Sequence, residues 1–288
     1  MPQTQEYFEM SDGFDIFCRS WKPSSKTGRA IVFMHGIESH SGAFSYFGER
    51  LAADGLDCYA FDRRGFGNSV EKDFPKGDAK NFKRHLNDVN EIVQQVRKDH
   101  SKVFTLGHSI GTAYVLWQCA NFPSSLNGLI LMAPPVKPGI KLPRGDLLKL
   151  PFQYLFQPRR MFNFVDKWPV EFRNGPEYKA LAGDPLCTMK FGVGWLIKVQ
   201  RKLANKMIDN ASRTKESTLT IQGNKDIIAL PAGATRLNDS LMADDKTLKF
   251  EPEANHWFYQ ALIPNKKDGE DARREEVFRT ISTWLDAH

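Results

Sequence analysis

Gly107-His108-Ser109-Ile110-Gly111 follows directly on the apolar run Val103-Phe104-Thr105-Leu106. A strand that ends in G-x-S-x-G and turns at once into a helix holds its serine on a strained corner, hydroxyl exposed, with backbone N–H groups close by. Side chains at Gly107 and Gly111 would collide with neighbouring backbone as the strand doubles back, which is the steric reason for glycine at both positions. Alone, the pentapeptide also describes an ordinary turn. The helix it requires is present, because Ala113, Tyr114, Leu116, Trp117 and Ala120 recur at helical spacing.

Working outward, strand and helix patterns alternate. Tyr7–Met10 and Phe14–Cys18 flank Ser11-Asp12-Gly13 and read as an opening hairpin. Buried-strand patterns follow at Ala30–Met34, Leu56–Phe61, Val103–Leu106, Leu129–Met132, Leu219–Ile221 and Leu248–Phe250. The clearest helical stripes are Phe82, Leu86, Val89, Val93, Val96 and, near the end, Val277, Phe278, Ile281, Trp284, Leu285. Parallel pairing needs crossover connections, so strands separated by helices predict an α/β class with a mostly parallel sheet covered on both faces.

From Val136 to Lys215 no strand pattern appears, and seven prolines punctuate short amphipathic pieces. The expected organisation is a core of residues 1–135 and 216–288 with a helical cap over 136–215. This insertion holds sixteen Lys/Arg against six Asp/Glu, in a chain whose net charge is +6. It is also rich in large aromatics, among them Phe152, Phe156, Phe164, Trp168, Phe172, Phe191 and Trp195. Two readings stand side by side: a lid that contacts an apolar substrate or an anionic lipid surface, or aromatics that pack the insertion onto the core while lysines solvate it.

With 288 residues, 41% apolar and 26% charged, the chain fits one large catalytic unit plus a module and excludes disordered and fibrous classes. No apolar run reaches the roughly 18 residues of a membrane span, and the start, Met1-Pro2-Gln3-Thr4-Gln5-Glu6, lacks a basic segment followed by an apolar one. A cytoplasmic protein is expected, and on the lid reading the basic insertion also makes peripheral contact with a membrane. Cys18, Cys58, Cys119 and Cys187 are far apart without C-x-x-C spacing and read as buried free thiols. The positive charge invites a nucleic acid, but it clusters among aromatics and no nucleic-acid motif accompanies it.

A serine hydroxyl near neutral pH needs an adjacent base, and the base an orienting carboxylate. Seven histidines are available, and position sorts them. His35 and His108 precede glycine or serine in turns, His85 and His100 fall on or after a polar helix face, His40 sits in a loop and His288 is terminal. His256 remains, in the loop after Leu248–Phe250 and before the last long helix. In Ile221-Gln222-Gly223-Asn224-Lys225-Asp226 the glycine permits a turn and Asp226 lies beyond the strand end. The chain order is then Ser109, Asp226, His256. Acyl transfer also needs donors for the oxygen that becomes negative; the N–H groups of Ile37, after the strand ending at Met34, and of Ile110 lie at the expected positions.

His35-Gly36, Asp62-Arg63-Arg64-Gly65-Phe66-Gly67-Asn68-Ser69, the pentapeptide around Ser109, Tyr178–Leu186 ending in Asp184-Pro185-Leu186, Gly223 with Asp226, and His256 together carry a resemblance. From about Glu6 to Leu285 the chain resembles the monoacylglycerol lipase and lysophospholipase-like branch of the α/β-hydrolases, which also includes serine-aminopeptidase-like members. The resemblance implies an α/β-hydrolase fold with a helical cap after the sixth strand, no cofactor and no metal, and a small-molecule acyl ester as partner. The reaction would be hydrolysis of a lipid-like monoester. It implies structural roles for Asp62 and Arg64. Two departures bear on substrate: Trp257 follows His256 where the family often has an acidic residue, and Ile37 is bulkier than the small residue often found there. Two other readings of the same fold are an aminopeptidase-like amide hydrolase, which needs an acidic group near the cap for the substrate ammonium, and a non-catalytic small-ligand receptor.

Overall fold

In the computed structural model, which describes residues 3–25, 27–258 and 270–288, the alternating apolar segments form one sheet. Met1 and Pro2, at the start of the stretch read for a leader, lie outside the described residues. In chain order come β1 (Gln3–Glu9), β2 (Asp15–Trp21), β3 (Arg29–Met34), α1 (Ser45–Ala53), β4 (Asp57–Phe61), α2 (Phe82–Arg97), β5 (Lys102–His108), α3 (Ile110–Asn121) and β6 (Gly128–Met132). Residues 136–215 then contribute α4 (Arg144–Phe156), β7 (Met161–Phe162), α5 (Val170–Arg173), α6 (Pro176–Gly183), β8 (Phe191–Gly192), α7 (Val193–Lys202) and α8 (Met207–Ala211). The chain closes with β9 (Ser217–Gly223), α9 (Pro231–Ser240), β10 (Lys246–Glu251) and α10 (Glu270–Ala287).

Eight strands form the main sheet in the order β1-β2-β4-β3-β5-β6-β9-β10. β2 is antiparallel to both its neighbours, and the remaining pairs are parallel. This is the mostly parallel α/β sheet that the strand spacing predicts. The period of two in each central strand divides its residues between two cores. Ala30, Val32 and Met34 of β3 and Leu129 and Leu131 of β6 face α2 and α3, whose Leu86, Val89, Val93, Val115 and Leu116 belong to the same cluster. Ile31, Phe33, Phe104, Leu106, Ile130 and Met132 face the other way, against Phe47 and Leu51 of α1 and Val277, Ile281 and Trp284 of α10. Both faces are thus dry, as parallel sheets require.

The order of strands reverses at β3, which pairs with β4 on one side and β5 on the other. At such a switch point the loops leaving adjacent strands diverge and open a crevice at their carboxyl ends. Met34 pairs with Gly107. The turn after β3 therefore sits beside the turn after β5, bringing residues 35–37 next to residues 108–110.

Two expectations change. Within 136–215 a two-residue antiparallel ribbon, β7 with β8, pairs Phe162 with Phe191; it is too short to show alternation in the sequence. His85, read as lying on a polar helix face, is buried, with Nε2 2.7 Å from the Tyr114 hydroxyl on α3. A polar residue on the flank of a helix looks solvated in sequence unless its partner from another element is known. The aromatics of the insertion divide: Trp168, Phe172, Phe191 and Trp195 are buried, whereas Phe152 and Phe156 on α4 are 60% and 68% exposed. All four cysteines are buried and free, and among the described residues no helix is long and apolar enough to cross a membrane.

Candidate active site

The turn at Ser109 is built by close approach. A Cβ on Gly111 would lie 2.2 Å from the carbonyl oxygen of Met34, and one on Gly107 would lie 2.6 Å from the backbone of Gly111. No side chain fits either gap. With both glycines in place, β5 passes straight into α3, and Ser109 takes φ 52°, ψ −125°. Such a conformation costs a non-glycine residue on the order of 1–3 kcal/mol. The cost is met by the surrounding ladder, since Ser109 N donates to Met132 O at 2.9 Å.

Asp226 lies three residues past the end of β9. Its Oδ1 accepts from the N–H groups of Ile228 and Ala229, both at 2.8 Å, and its Oδ2 accepts from Gln222 Nε2 at 3.1 Å. These bonds fix the orientation of the buried carboxylate. Gln222 was not singled out in the sequence. The available signal was an amide at a buried position of a strand, which needs a polar partner.

His256, in the loop after β10, reaches both other groups. Its Nδ1 lies 2.7 Å from Asp226 Oδ2 and its Nε2 lies 2.9 Å from Ser109 Oγ. The carboxylate only accepts, so Nδ1 carries the proton and Nε2 is left to accept from the hydroxyl. All three side chains are buried. His108 supports the loop from beneath by donating from Nε2 to the carbonyl oxygen of His256 at 2.9 Å. Burial pushes the His108 imidazole well below its ordinary pKa, and the neighbouring His256 adds to this. His108 is therefore a neutral prop beside the pair.

Above Ser109 opens a cleft of about 570 Å³, part of it open to solvent, lined by Ile37, Ile110, Ile140, Trp168, Leu196 and Ile228. Among the described residues of its lining, Ser109 and Gln200 are the polar ones. The N–H groups of Ile37 and Ile110 make no hydrogen bond to another described residue. Ile37 also presents its side chain to the cleft, which narrows the space beside the serine. Phe164, Trp168, Leu196 and Val199, all within residues 136–215, line it opposite Ile37, Ser109 and Ile110.

Asp62 and Arg64 lie outside this cleft. Asp62 accepts from Ser41 N at 2.6 Å and Asn68 N at 2.8 Å, tying the loop after β3 to that after β4. Arg64 bridges Asp88 and Asp12. Among the described residues, His40, Asp184 and Cys187 bring ligand-type atoms within 4.8 Å of one another. His40 Nδ1 accepts from Gly42 N at 3.1 Å, which leaves the ring proton on Nε2, 3.0 Å from Asp184 Oδ2. That donor and acceptor satisfy each other and latch the loop after β3 to the end of α6.

A family profile described as "Serine aminopeptidase, S33" matches residues 25–260. The chain is 29% identical to the monoglyceride lipase of Rattus norvegicus over 299 aligned positions, covering 99% of this chain and 92% of that protein. Among solved structures, the monoacylglycerol lipase of Paleococcus ferrophilus superposes with a TM-score of 0.74 at 23% identity, covering 95% of this chain and 99% of that one. A soluble variant of the monoglyceride lipase of Saccharomyces cerevisiae, in complex with a substrate analog, gives 0.78 at 19% identity, covering all of this chain and 97% of that one. Both likenesses extend over the sheet and the insertion and carry the α/β-hydrolase fold. With the profile spanning most of its length, the chain belongs to the serine aminopeptidase, S33 family.

Proposed function

We propose that the protein is a serine hydrolase that cleaves carboxylic monoesters with an apolar acyl chain, of the monoacylglycerol or lysophospholipid type, through an acyl-enzyme. Ser109 Oγ attacks the ester carbonyl as His256 Nε2 takes its proton; Asp226 holds the imidazolium that results. The N–H groups of Ile37 and Ile110 stabilise the oxyanion. The imidazolium then gives the proton to the departing alcohol, and water, activated by the same imidazole, clears the acyl group. The single observation that carries this reading is His256 bridging the hydroxyl at 2.9 Å and the carboxylate at 2.7 Å.

The lining of the cleft supports an acyl chain over a charged substrate. An amino-terminal peptidase needs a carboxylate for the substrate ammonium, and the described residues of the lining include none. Monoglyceride lipases among the relatives favour the same class of ester. We assign residues 136–215 as a cap over a core of 1–135 and 216–288. On its surface Leu148 and Leu155 are 80% and 71% exposed beside Phe152 and Phe156, within a segment of strong positive charge. An apolar ridge flanked by cations suits peripheral contact with an anionic lipid surface.

A fluorophosphonate probe tests the assignment: it labels the protein and spares Ser109→Ala. Equal labelling of both would remove Ser109 from the reaction. A series of monoacylglycerols, lysophospholipids and p-nitrophenyl esters, set against amino-acid p-nitroanilides, then ranks acyl length, head group and ester over amide.

A further inference from the structure

His256 is flanked by two residues that the acid–base chemistry does not use, and both reach into the cap. Asn255 donates from Nδ2 to Glu177 Oε1 on α6 at 2.8 Å. Trp257 stacks flat on Phe172 of α5, with ring centroids 4.3 Å apart at 16°, and lies 5.8 Å from the ring of Trp168. Its indole Nε1 donates to Glu38 Oε1 at 2.9 Å. Glu38 is the residue after Ile37, it is fully buried, and its backbone carbonyl accepts from Thr188 N of the cap at 2.9 Å. Trp257 itself sets its indole edge-on to His256, with centroids 4.9 Å apart at 78°. One side chain therefore touches the base, the loop bearing an oxyanion donor and two cap aromatics, of which Trp168 also lines the acyl cleft.

A buried carboxylate needs its donors, and a buried indole N–H needs an acceptor. The Trp257 indole finds its acceptor in Glu38 Oε1, and Glu38 receives from it a donor from a distant loop. The bond consequently fixes the distance between the loop after β3 and the loop after β10, which is the distance between the oxyanion donor at Ile37 and the imidazole at His256. Displacements of about 1 Å in such a constellation can cost on the order of a hundredfold in rate.

We infer that Trp257 is a positioning residue: through its bond to Glu38 and its stack against Phe172 and Trp168 it aligns His256 with the oxyanion donors, and it makes that alignment depend on the seating of the cap. The inference rests on the catalytic reading of Ser109, His256 and Asp226. Trp257, which stands where an acidic residue is often found in the family, thus has a role of its own.

The test uses the full-length protein and p-nitrophenyl acetate, whose acyl group is too short to draw on the apolar cleft. Trp257→Phe keeps an aromatic ring for the stack and removes the N–H. Glu38→Leu removes the acceptor, and Glu38→Gln retains an acceptor oxygen. Trp257→Phe and Glu38→Leu are expected to lower kcat about tenfold with KM within about twofold, and Glu38→Gln to lose no more than about threefold. The double variant Trp257→Phe/Glu38→Leu loses no more than either single change, because the two groups act as one. A merely structural bond would lower thermal stability without this division between kcat and KM and without rescue by glutamine. If Trp257→Phe does not fold, Glu38→Leu against Glu38→Gln carries the comparison. Unimpaired kcat in Trp257→Phe or Glu38→Leu, a loss in KM alone, or equal losses in Glu38→Gln and Glu38→Leu would each overturn the inference. Fluorophosphonate labelling is run in parallel: labelling that survives Ser109→Ala removes the catalytic reading itself, whereas Ser109-dependent labelling beside an unimpaired Trp257→Phe removes the inference alone.

Discussion

The amide of Ser109 is held by the carbonyl of Met132 at 2.9 Å, so the last ladder bond between β5 and β6 is also the bond that steadies the serine in its strained conformation. The nucleophile proposed here is thus fixed by the sheet before any substrate arrives. Preorganisation of this kind accounts for much of the power of acyl-transfer sites.

Removal of the proposed triad members should have unequal effects. Ser109→Ala and His256→Ala are expected to lower kcat by about 10⁵–10⁶, and Asp226→Asn by about 10⁴, because the asparagine amide would point a donor at Nδ1 and impose the wrong tautomer. Single-turnover kinetics on p-nitrophenyl esters measures each; a change of less than about tenfold for Asp226→Asn would exclude Asp226 as the orienting group.

Gly111 offers a test of the corner itself. The Cβ of Gly111→Ala would stand 2.2 Å from Met34 O, backbone that cannot retreat without shifting β3. Overpacking of this kind costs about 3 kcal/mol or more. Urea unfolding should show that loss, and any folded fraction should react slowly with fluorophosphonate, since the same shift moves the Ile37 N–H.

Stability should fall on mild acidification. His35, His85 and His108 are all held well below the usual imidazole value of 6.5, first by burial and then by a neighbouring side chain, the Arg63 guanidinium for the first two and the His256 ring for the third. At these three positions the unfolded chain takes up protons as pH drops through 6.5 while the folded chain does not. The stabilisation is therefore present above that pH and is lost as pH falls below it, by on the order of 1 kcal/mol for each histidine between pH 7.5 and 5.5. Chemical denaturation at the two values checks the sign; a protein more stable at pH 5.5 would contradict it.

The exposed ridge on α4 should matter only at an interface. Leu148→Ser combined with Leu155→Ser is expected to reduce sedimentation with vesicles containing anionic lipid and to lower the ratio of rates on emulsified over dissolved ester by about tenfold. An unchanged ratio would assign the ridge to another surface.

Replacing Leu196 by tryptophan fills the roof of the cleft. The variant is expected to discriminate against long acyl chains by at least about tenfold in kcat/KM relative to acetate, in line with the roughly 1–3 kcal/mol that a pocket draws from one methylene. A chain-length series reads the crossover.

Local chemistry made part of this protein legible in its sequence. Gly107 and Gly111 around Ser109 mark a sharp strand-to-helix corner because only glycine survives the contacts there, and period-two runs such as Ala30–Met34 mark buried strands because successive side chains enter opposite cores. Asp226 and His256 were identifiable as loop residues after strands, since a reactive serine needs a base and the base a carboxylate. Tertiary structure alone decided whether those loops met. His85 looked solvated and is buried against Tyr114; Gln222 looked like one more strand residue and holds Asp226; Glu38 and Trp257, 219 residues apart, share a hydrogen bond that no periodicity announces. Turn and strand preferences are properties of a few adjacent residues, whereas the partner of a buried polar group is chosen by how distant elements pack.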